Sequence, residues 1–400
     1  MDGSGGGVEV AAAAVAAAGV VGAAVALPSD GATVATAASG GGNPLVWLPL
    51  TVAVAIPLAF VGVLYAVPAA VRALPRDHPT YITARFGMVG WLALCVPAVV
   101  AAVAWILATQ PGATGALAQT ALDTALGLHP YCNAPASVLR PLAVIVLLFA
   151  GPLTQAALLA AAGLPTVFSR LRLVCPPRGT PPCTSSGSSC ISGSGSGGGG
   201  SGSSGGTSGS GGGTSTSASD GVGSDVAARL IVWRTVAVAP VTEEWVFRCC
   251  LLPLYLLGGL RPLPAVLVTA ASFGAAHLHL AGELARSGYT AGEIAVQLGG
   301  HLVITSLFGS LAGGMLYASG SFLAVAGMHV FCNIMGPPTL AWWVYPTHPL
   351  YPKRALLAAA HLGGIVASVV AASPLLLLSA PLAVHAATFP CALMLPAALP

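Results

Sequence analysis

Long runs of apolar residues, separated by short polar segments, dominate the hydropathy pattern of this chain. Stretches without a charged residue cover 44–71, 87–110, 141–169, 294–352 and 355 onward. A helix needs about 20 apolar residues to cross a hydrocarbon core ~30 Å thick, and the fourth stretch is long enough for two passes. The runs are continuous rather than alternating, which indicates helices and not the strands of a closed barrel.

Three less regular apolar stretches, at residues 229–242, 249–260 and 262–282, bring the expected number of helices to about eight. The composition agrees, because 56% of the residues are hydrophobic and 6% are charged, whereas soluble domains are about 25% charged. The sequence therefore predicts an all-α, polytopic membrane protein whose partner is the lipid bilayer. The net charge of +3 is small and scattered, so no nucleic-acid partner is predicted.

The composition also divides the chain into segments. Residues 184–224 are almost wholly Ser, Gly and Thr, which predicts a flexible linker that cannot bury a core. Residues 1–43 are rich in Ala and Gly, and we expect them to be disordered or processed; no Lys or Arg precedes Arg72, so a secretory signal is not predicted. The remaining segments are expected to be N-terminal transmembrane helices, a C-terminal catalytic transmembrane bundle and a tail, at residues 44–183, 225–390 and 391–400.

The arginines predict an orientation in the membrane. Positive residues accumulate in cytosolic loops, and here they cluster after the first and third apolar stretches, while the loop between the two clusters carries only Arg140 at its edge. The two clusters are Arg72, Arg76 and Arg85, and Arg170, Arg172 and Arg178. Both clusters, and the linker that follows the second one, are therefore expected on the cytosolic side.

Two adjacent carboxylates, Glu243 and Glu244, stand in a chain that is only 6% charged. An ionisable residue within a membrane segment is a functional-site hypothesis, because its desolvation must be offset by a partner, a water-filled cavity or a chemical role. Arg248 lies four residues after Glu244, on the same helical face, so these two are expected to form an ion pair. Glu243 points about 100° away and stays available for chemistry.

Two further polar motifs accompany the carboxylates on other apolar segments. One carries His277 and His279 after Phe273; the other carries His329 and Asn333, which are four residues apart and so share a helical face. A carboxylate, an imidazole and a His/Asn pair together can hydrolyse an amide.

The expected roles follow from the side-chain chemistry. Glu243 takes a proton from water, and His277 shares that water or hands a proton to the leaving amine. His329 and Asn333 donate hydrogen bonds to the oxyanion of the tetrahedral intermediate. No serine or cysteine lies in an obvious activating setting, so attack by water is preferred over an acyl-enzyme.

Each element also has a purely structural interpretation. Glu244 with Arg248 can be a structural ion pair, His277 and His279 can be core histidines, and the His/Asn pair can join helices by hydrogen bonds. His301 is expected to be a polar core or interfacial residue outside the site. The nine cysteines have no paired metal-ligand spacing, and no metal or other cofactor is predicted.

The three motifs, with their flanking residues, resemble the eukaryotic type II CAAX prenyl proteases, the Ras-converting endopeptidases of the glutamate-type intramembrane protease family. The resemblance rests on residues 238–248, 273–279 and 329–338, with weaker similarity at 76–86 and 147–153. It covers roughly residues 76–338 without the Ser/Gly insertion, which is unusual for the family. Leu280 stands where animal relatives have another histidine.

The resemblance implies an eight-helix endopeptidase of the endoplasmic reticulum membrane, with its active site inside the helix bundle. It implies that farnesylated or geranylgeranylated CAAX proteins are the substrates and that their last three residues are removed. By motif position it assigns water activation to Glu243 and His277, and the oxyanion hole to His329 and Asn333. Supporting positions are Glu244, Arg248, Phe273 and His279.

Three alternatives stay open from the sequence. The polar residues could form a proton or ion relay in a transporter, although the Glu-Glu and His/Asn patterns are not repeated along the chain. The chain could be a scaffold or binder of prenylated proteins, although all four catalytic positions are filled. A zinc enzyme using His277, His279 and His329 is disfavoured, because histidines two apart on a helix face different sides.

Overall fold

A computed structural model describes residues 47–74, 77–109, 135–168 and 219–373, and these residues form helices and connecting turns without a β-strand. The all-α class is confirmed. The predicted N-terminal segment, most of the Ser/Gly linker and the tail lie outside the described residues, and the first helix after the linker already begins at Ser219.

The helices are labelled in chain order. They are α1 (Leu48–Tyr65), α2 (Pro79–Ala108), α3 (Pro135–Leu148), α4 (Ala150–Ala161), α5 (residues 219–257), α6 (Pro262–Ala276), α7 (Leu280–Arg286), α8 (Ala291–Ser319), α9 (Phe322–Met335) and α10 (Arg354–Ala372). Single helical turns connect some of them, including one at His277–His279 between α6 and α7.

Within the described ranges, five helical segments are long and apolar enough to cross a membrane, and a sixth is obtained if the bent pair α3 and α4 is one span. The multi-pass membrane class is confirmed, but the predicted count of about eight is not. The fourth apolar stretch provides one full span, α8, because its second part is the 14-residue helix α9. The stretches at 229–242 and 249–260 belong to one helical run, α5.

Two other predicted boundaries differ from the structure. The helix predicted at 87–110 begins at Pro79, so Arg85 lies inside α2 and pairs with Glu283 instead of lying in a loop. The helix predicted at 141–169 is broken at Phe149, where α3 and α4 meet at 66°. At this bend Gly364 of α10 lies so close that an added Cβ would come within 2.5 Å of the Leu147 carbonyl oxygen.

The core of the bundle is built mainly from α1, α2, α5, α6, α8 and α9. Among the described helices the most extensive pairing is that of α6 with α8, and glycines of α8 allow it. A Cβ on Gly309 would lie 3.1 Å from Ala270, and one on Gly313 would lie 3.2 Å from Val266. Gly309 and Gly313 are four apart, which is the small-residue spacing that lets membrane helices approach closely.

Large apolar side chains cover the outside of the bundle. Trp91 and Leu94 on α2, Leu307 on α8 and Val370 on α10 are each at least 65% exposed. In water such residues would form an aggregation-prone surface, whereas in a bilayer they face lipid tails. The exposed surface therefore supports the same membrane assignment as the helix lengths.

Candidate active site

The adjacent carboxylates lie on α5, whose hydrogen-bonding pattern changes along its length. α-Helical segments alternate with π-helical ones at Arg234–Val238 and Glu244–Leu251. Pro240 and Pro253 contribute, because proline lacks the N–H that an α-helix uses. π-Helical insertions occur often at functional sites, and here the second one begins at Glu244. Sequence periodicity predicted an ordinary helix and missed this change.

Glu244 and Arg248 form the ion pair that their spacing predicts. Arg248 Nη1 lies 3.1 Å from Glu244 Oε1, and both side chains are completely buried. The guanidinium also stacks over the ring of Phe273, with its central carbon 4.0 Å from the ring centroid. Such cation–π contacts are favourable in desolvated positions.

His329 of α9 joins the two carboxylates. Its Nδ1–H donates to Glu244 Oε1 at 2.7 Å, and its Nε2 lies 3.8 Å from Glu243 Oε2. Glu244 is therefore held by two cationic or donor groups, whereas the Glu243 side chain keeps 19% of its surface exposed. Because Nδ1 already donates to Glu244, Nε2 can act as a donor only when the ring carries both protons.

Asn333 lies one turn after His329 on α9 and, like His329, faces α5. Its Nδ2 donates to the main-chain carbonyl of Thr235 at 2.7 Å, so both members of the pair contact α5. An amide nitrogen has two hydrogens, and one of them is used here. Thr235 is a partner that the sequence did not suggest, since its contribution is a carbonyl oxygen in the first π-helical segment.

His277 lies where α6 ends and the chain turns into α7. Its Nδ1–H donates to the Phe273 carbonyl at 2.8 Å, which leaves Nε2 as the proton acceptor of the neutral ring. The ring stands edge-on to Phe273 at 4.8 Å. His279 makes a similar contact with the Ala276 carbonyl at 2.7 Å, and its ring is 6.4 Å from that of His277.

Phe273 connects the separate parts of the site. Its ring contacts the Arg248 guanidinium, the His277 ring, and the His329 ring at 6.1 Å. Phe308 of α8 also packs against His329, with the two ring centroids 4.7 Å apart. The two aromatic rings thus pack against both histidines and the arginine.

His301 of α8 is a residue that the sequence interpretation placed outside the site. Its ring centroid lies 4.9 Å from that of His277. His301 and Phe308 are seven residues apart and so share a face of α8, but the sequence does not show that this face meets the site. Among the residues described, no group of three or more His, Cys, Asp or Glu side chains is arranged to hold a metal ion.

Comparisons with known proteins match the segment that carries this site. The family model for type II CAAX prenyl endopeptidase Rce1-like matches residues 225–335, which include Glu243, His277, His329 and Asn333. CAAX prenyl protease 2 of Arabidopsis thaliana is 36% identical over 151 residues, or 37% of this chain and 45% of the relative. CAAX prenyl protease 2 of Homo sapiens is 27% identical over 335 residues, or 82% of each chain.

A third relative, CAAX prenyl protease 2 of Caenorhabditis elegans, is 33% identical over 141 residues, which are 34% of this chain and 51% of that protein. The chain thus spans about half the length of the plant and nematode relatives and most of the human one. No solved structure matches the chain significantly.

Proposed function

Through residues 225–335 the chain belongs to the Rce1-like family of type II CAAX prenyl endopeptidases, and from this premise we propose that it hydrolyses a peptide bond inside the membrane. Its substrates are proteins with a farnesylated or geranylgeranylated CAAX cysteine, and the product is the C-terminal tripeptide. The protein acts in the endoplasmic reticulum membrane.

One observation carries the proposal: two adjacent carboxylates have different surroundings. Glu244 is completely buried and is bound by Arg248 and His329, so its charge is compensated. Glu243 is partly exposed. Among the described residues its ion-pair contact is with His329 Nε2, at the longer distance of 3.8 Å. A carboxylate that is accessible and uncommitted can accept a proton from water.

The reaction follows from these positions. Glu243 accepts a proton as the water oxygen attacks the carbonyl carbon of the peptide bond after the prenylated cysteine. The resulting oxyanion receives hydrogen bonds from His329 and from the remaining N–H of Asn333. The C–N bond then breaks, and the leaving amine takes the proton that Glu243 accepted from water, either directly or through His277 Nε2.

The membrane setting suits such a substrate. Each buried CH₂ group of a lipid anchor contributes ~0.8 kcal/mol to membrane binding, so a prenyl group stays in the bilayer while the peptide enters the site. Glu244, Arg248, Phe273 and His279 support the site by packing and hydrogen bonding and do not contact the reacting atoms.

The test is release of the tripeptide from a farnesylated CAAX peptide by the purified protein in detergent, with and without a chelator. Wild type is expected to cleave in both conditions, and Glu243→Gln and His277→Ala are expected to lose cleavage while unfolding at the wild-type temperature. Glu293→Gln is the matched control, because Glu293 caps α8 outside the site and glutamine keeps a capping side chain.

Other outcomes would contradict the proposal in distinct ways. Wild-type turnover in Glu243→Gln would remove the water-activation mechanism, and loss of cleavage with the chelator alone would favour the zinc alternative. Binding of the prenylated peptide without cleavage would favour a scaffold. Neither binding nor cleavage would favour a transporter.

A further inference from the structure

A cavity lies at one end of the bundle, beside the histidines of the proposed site. It has a volume of about 660 Å³, and its wall includes His301, whose ring is 4.9 Å from that of His277. The rest of the wall comes from the segment between α1 and α2, from α7 and from the start of α8. Cavities of ~300–1,000 Å³ are typical of small-ligand sites.

The charges of the cavity wall are mainly positive. Arg72 and Arg286 both line it, and within the described part of the chain neither has an ion-pair partner. Glu283 also lines it, but its carboxylate is neutralised by Arg85 Nη2 at 3.3 Å. Arg85 is in turn held over the ring of Tyr81, 4.5 Å from the centroid. Two arginines that have no ion-pair partner among the described residues therefore line the cavity.

The dimensions and the charge fit the end of a peptide. Three extended residues span about 10 Å, so the chain end of a CAAX substrate lies one short peptide away from the bond that is cut. A terminal carboxylate carried that far into a partly enclosed site needs a charged partner, and arginine binds carboxylates through paired hydrogen bonds. The loop with Arg72 is also the one predicted to face the cytosol, where soluble parts of substrates lie.

We infer that the cavity beside His301 binds the C-terminal carboxylate of the substrate tail through Arg72 and Arg286. This inference rests on the proposed endopeptidase activity and adds how the enzyme recognises that its substrate ends three residues after the cut. The cavity also retains the tripeptide product until it dissociates. An anionic lipid headgroup offers similar chemistry, so the experiment must separate the two.

The experiment compares two farnesylated peptides that differ only at the chain end, one with a free carboxylate and one with a C-terminal amide. The protein is reconstituted in neutral phosphatidylcholine vesicles, so no anionic headgroup is present. Wild type is expected to show a KM for the amide on the order of tenfold or more above that for the acid, since charge-assisted bonds are lost. The kcat values are expected to be similar.

Substitution of the arginines should abolish this discrimination. Arg72→Gln and Arg286→Gln are each expected to raise KM for the acid by part of this difference and to leave KM for the amide unchanged, and in combination they are expected to make the two peptides equivalent. Arg354→Gln is the matched control, because Arg354 is exposed and contacts Tyr351 away from the cavity; it should keep the wild-type ratio. Thermal unfolding in detergent verifies that each variant is folded.

The outcomes distinguish this inference from the proposed function. If neither peptide is cleaved, the endopeptidase proposal fails, and this inference fails with it. If both are cleaved by wild type with equal KM, or if the arginine variants weaken both equally, only the carboxylate inference is overturned. An effect of the arginines that appears only after anionic lipid is added, and equally for acid and amide, assigns the cavity to lipid headgroups instead.

Discussion

The buried ion pair between Glu244 and Arg248 is the residue-level feature on which the site depends most. Both side chains are completely buried, so each charge is tolerated only because the other is present. Removing one partner of a buried pair is strongly destabilising, since it leaves an uncompensated charge. The pair thereby fixes the start of the second π-helical segment and holds Glu244 against His329.

Arg248→Met is accordingly expected to lower the free energy of unfolding by about 3–5 kcal/mol, measured as a fall in Tm in detergent. The double variant Arg248→Met with Glu244→Gln should recover part of that loss, because no charge is then left unpaired. An unchanged Tm in the single variant would show that the pair is solvated and contributes nothing to stability. Arg354→Met, on an exposed residue, is the control and should not shift Tm.

A second prediction concerns Asn333, whose side-chain amide has two N–H groups with different roles. Its amide donates to the Thr235 carbonyl, and its other N–H is proposed to reach the oxyanion. Asn333→Ala is expected to lower kcat on the order of 10²-fold with little change in KM. Steady-state kinetics on the farnesylated peptide measure this. A raised KM or a lower Tm with kcat intact would instead assign Asn333 to the joining of α9 and α5.

At this scale the sequence was most informative where partners are four residues apart. The spacing of Glu244 and Arg248 predicted their ion pair, and the spacing of His329 and Asn333 predicted a shared face, which contacts α5 through Glu244 and Thr235. His301 could not be placed in the same way. Its contact with His277 depends on how closely two helices approach, and one sequence does not specify that distance.

At the scale of helices, the approach of α8 to α6 brings His301 and Phe308 to the site. Gly309 is the position that permits it, because an added Cβ would lie 3.0 Å from Arg248 Nη2 and 3.1 Å from the backbone of Ala270. Both neighbours are buried and have little room to move. The glycine therefore links helix packing to the geometry of the catalytic residues.

Gly309→Ala is expected to destabilise the protein by about 1–3 kcal/mol through overpacking and to lower kcat for the farnesylated peptide at least severalfold by moving Arg248. Gly299→Ala is the matched control on the same helix, since its Cβ would meet no atom within 4 Å. There alanine should stabilise α8, by up to ~1 kcal/mol. Equal effects of the two substitutions would show that helix propensity, and not close packing, decides the result.

Helix boundaries and helix type were predicted less well than helix existence, for a physical reason. An apolar run specifies that a segment is buried in lipid or protein, but it contains no signal for a bend such as that between α3 and α4 or for the π-helical segments of α5. Prolines mark some of these places, as at Pro240. Whether a proline ends, bends or widens a helix is decided by the neighbours that satisfy the released carbonyl groups.

At the scale of the whole molecule, the motifs on three separate helices predicted the family. The family prediction is confirmed by the match over residues 225–335 and by relatives from plants, animals and yeast. The cavity at the end of the bundle was not predictable, because its wall combines residues from the α1–α2 segment with residues some 200 positions later. The cavity also brings these segments together at one end of the bundle, and hence on one side of the membrane.

The orientation gives the last prediction. Ala73 and Ser287 both line the cavity and so lie at the same end of the bundle. Helix α2 begins near that cavity, has 30 residues and is capped by Thr109 at its far end. A helix of this length can cross a bilayer. In a variant without native cysteines, Ala73→Cys and Ser287→Cys should react with a membrane-impermeant maleimide from the cytosolic side of sealed microsomes. Thr109→Cys should react only after permeabilisation. Labelling of Ala73→Cys and Ser287→Cys from opposite sides would contradict the shared cavity, whereas labelling of both only after permeabilisation would keep the cavity and reverse the orientation that the arginines predict.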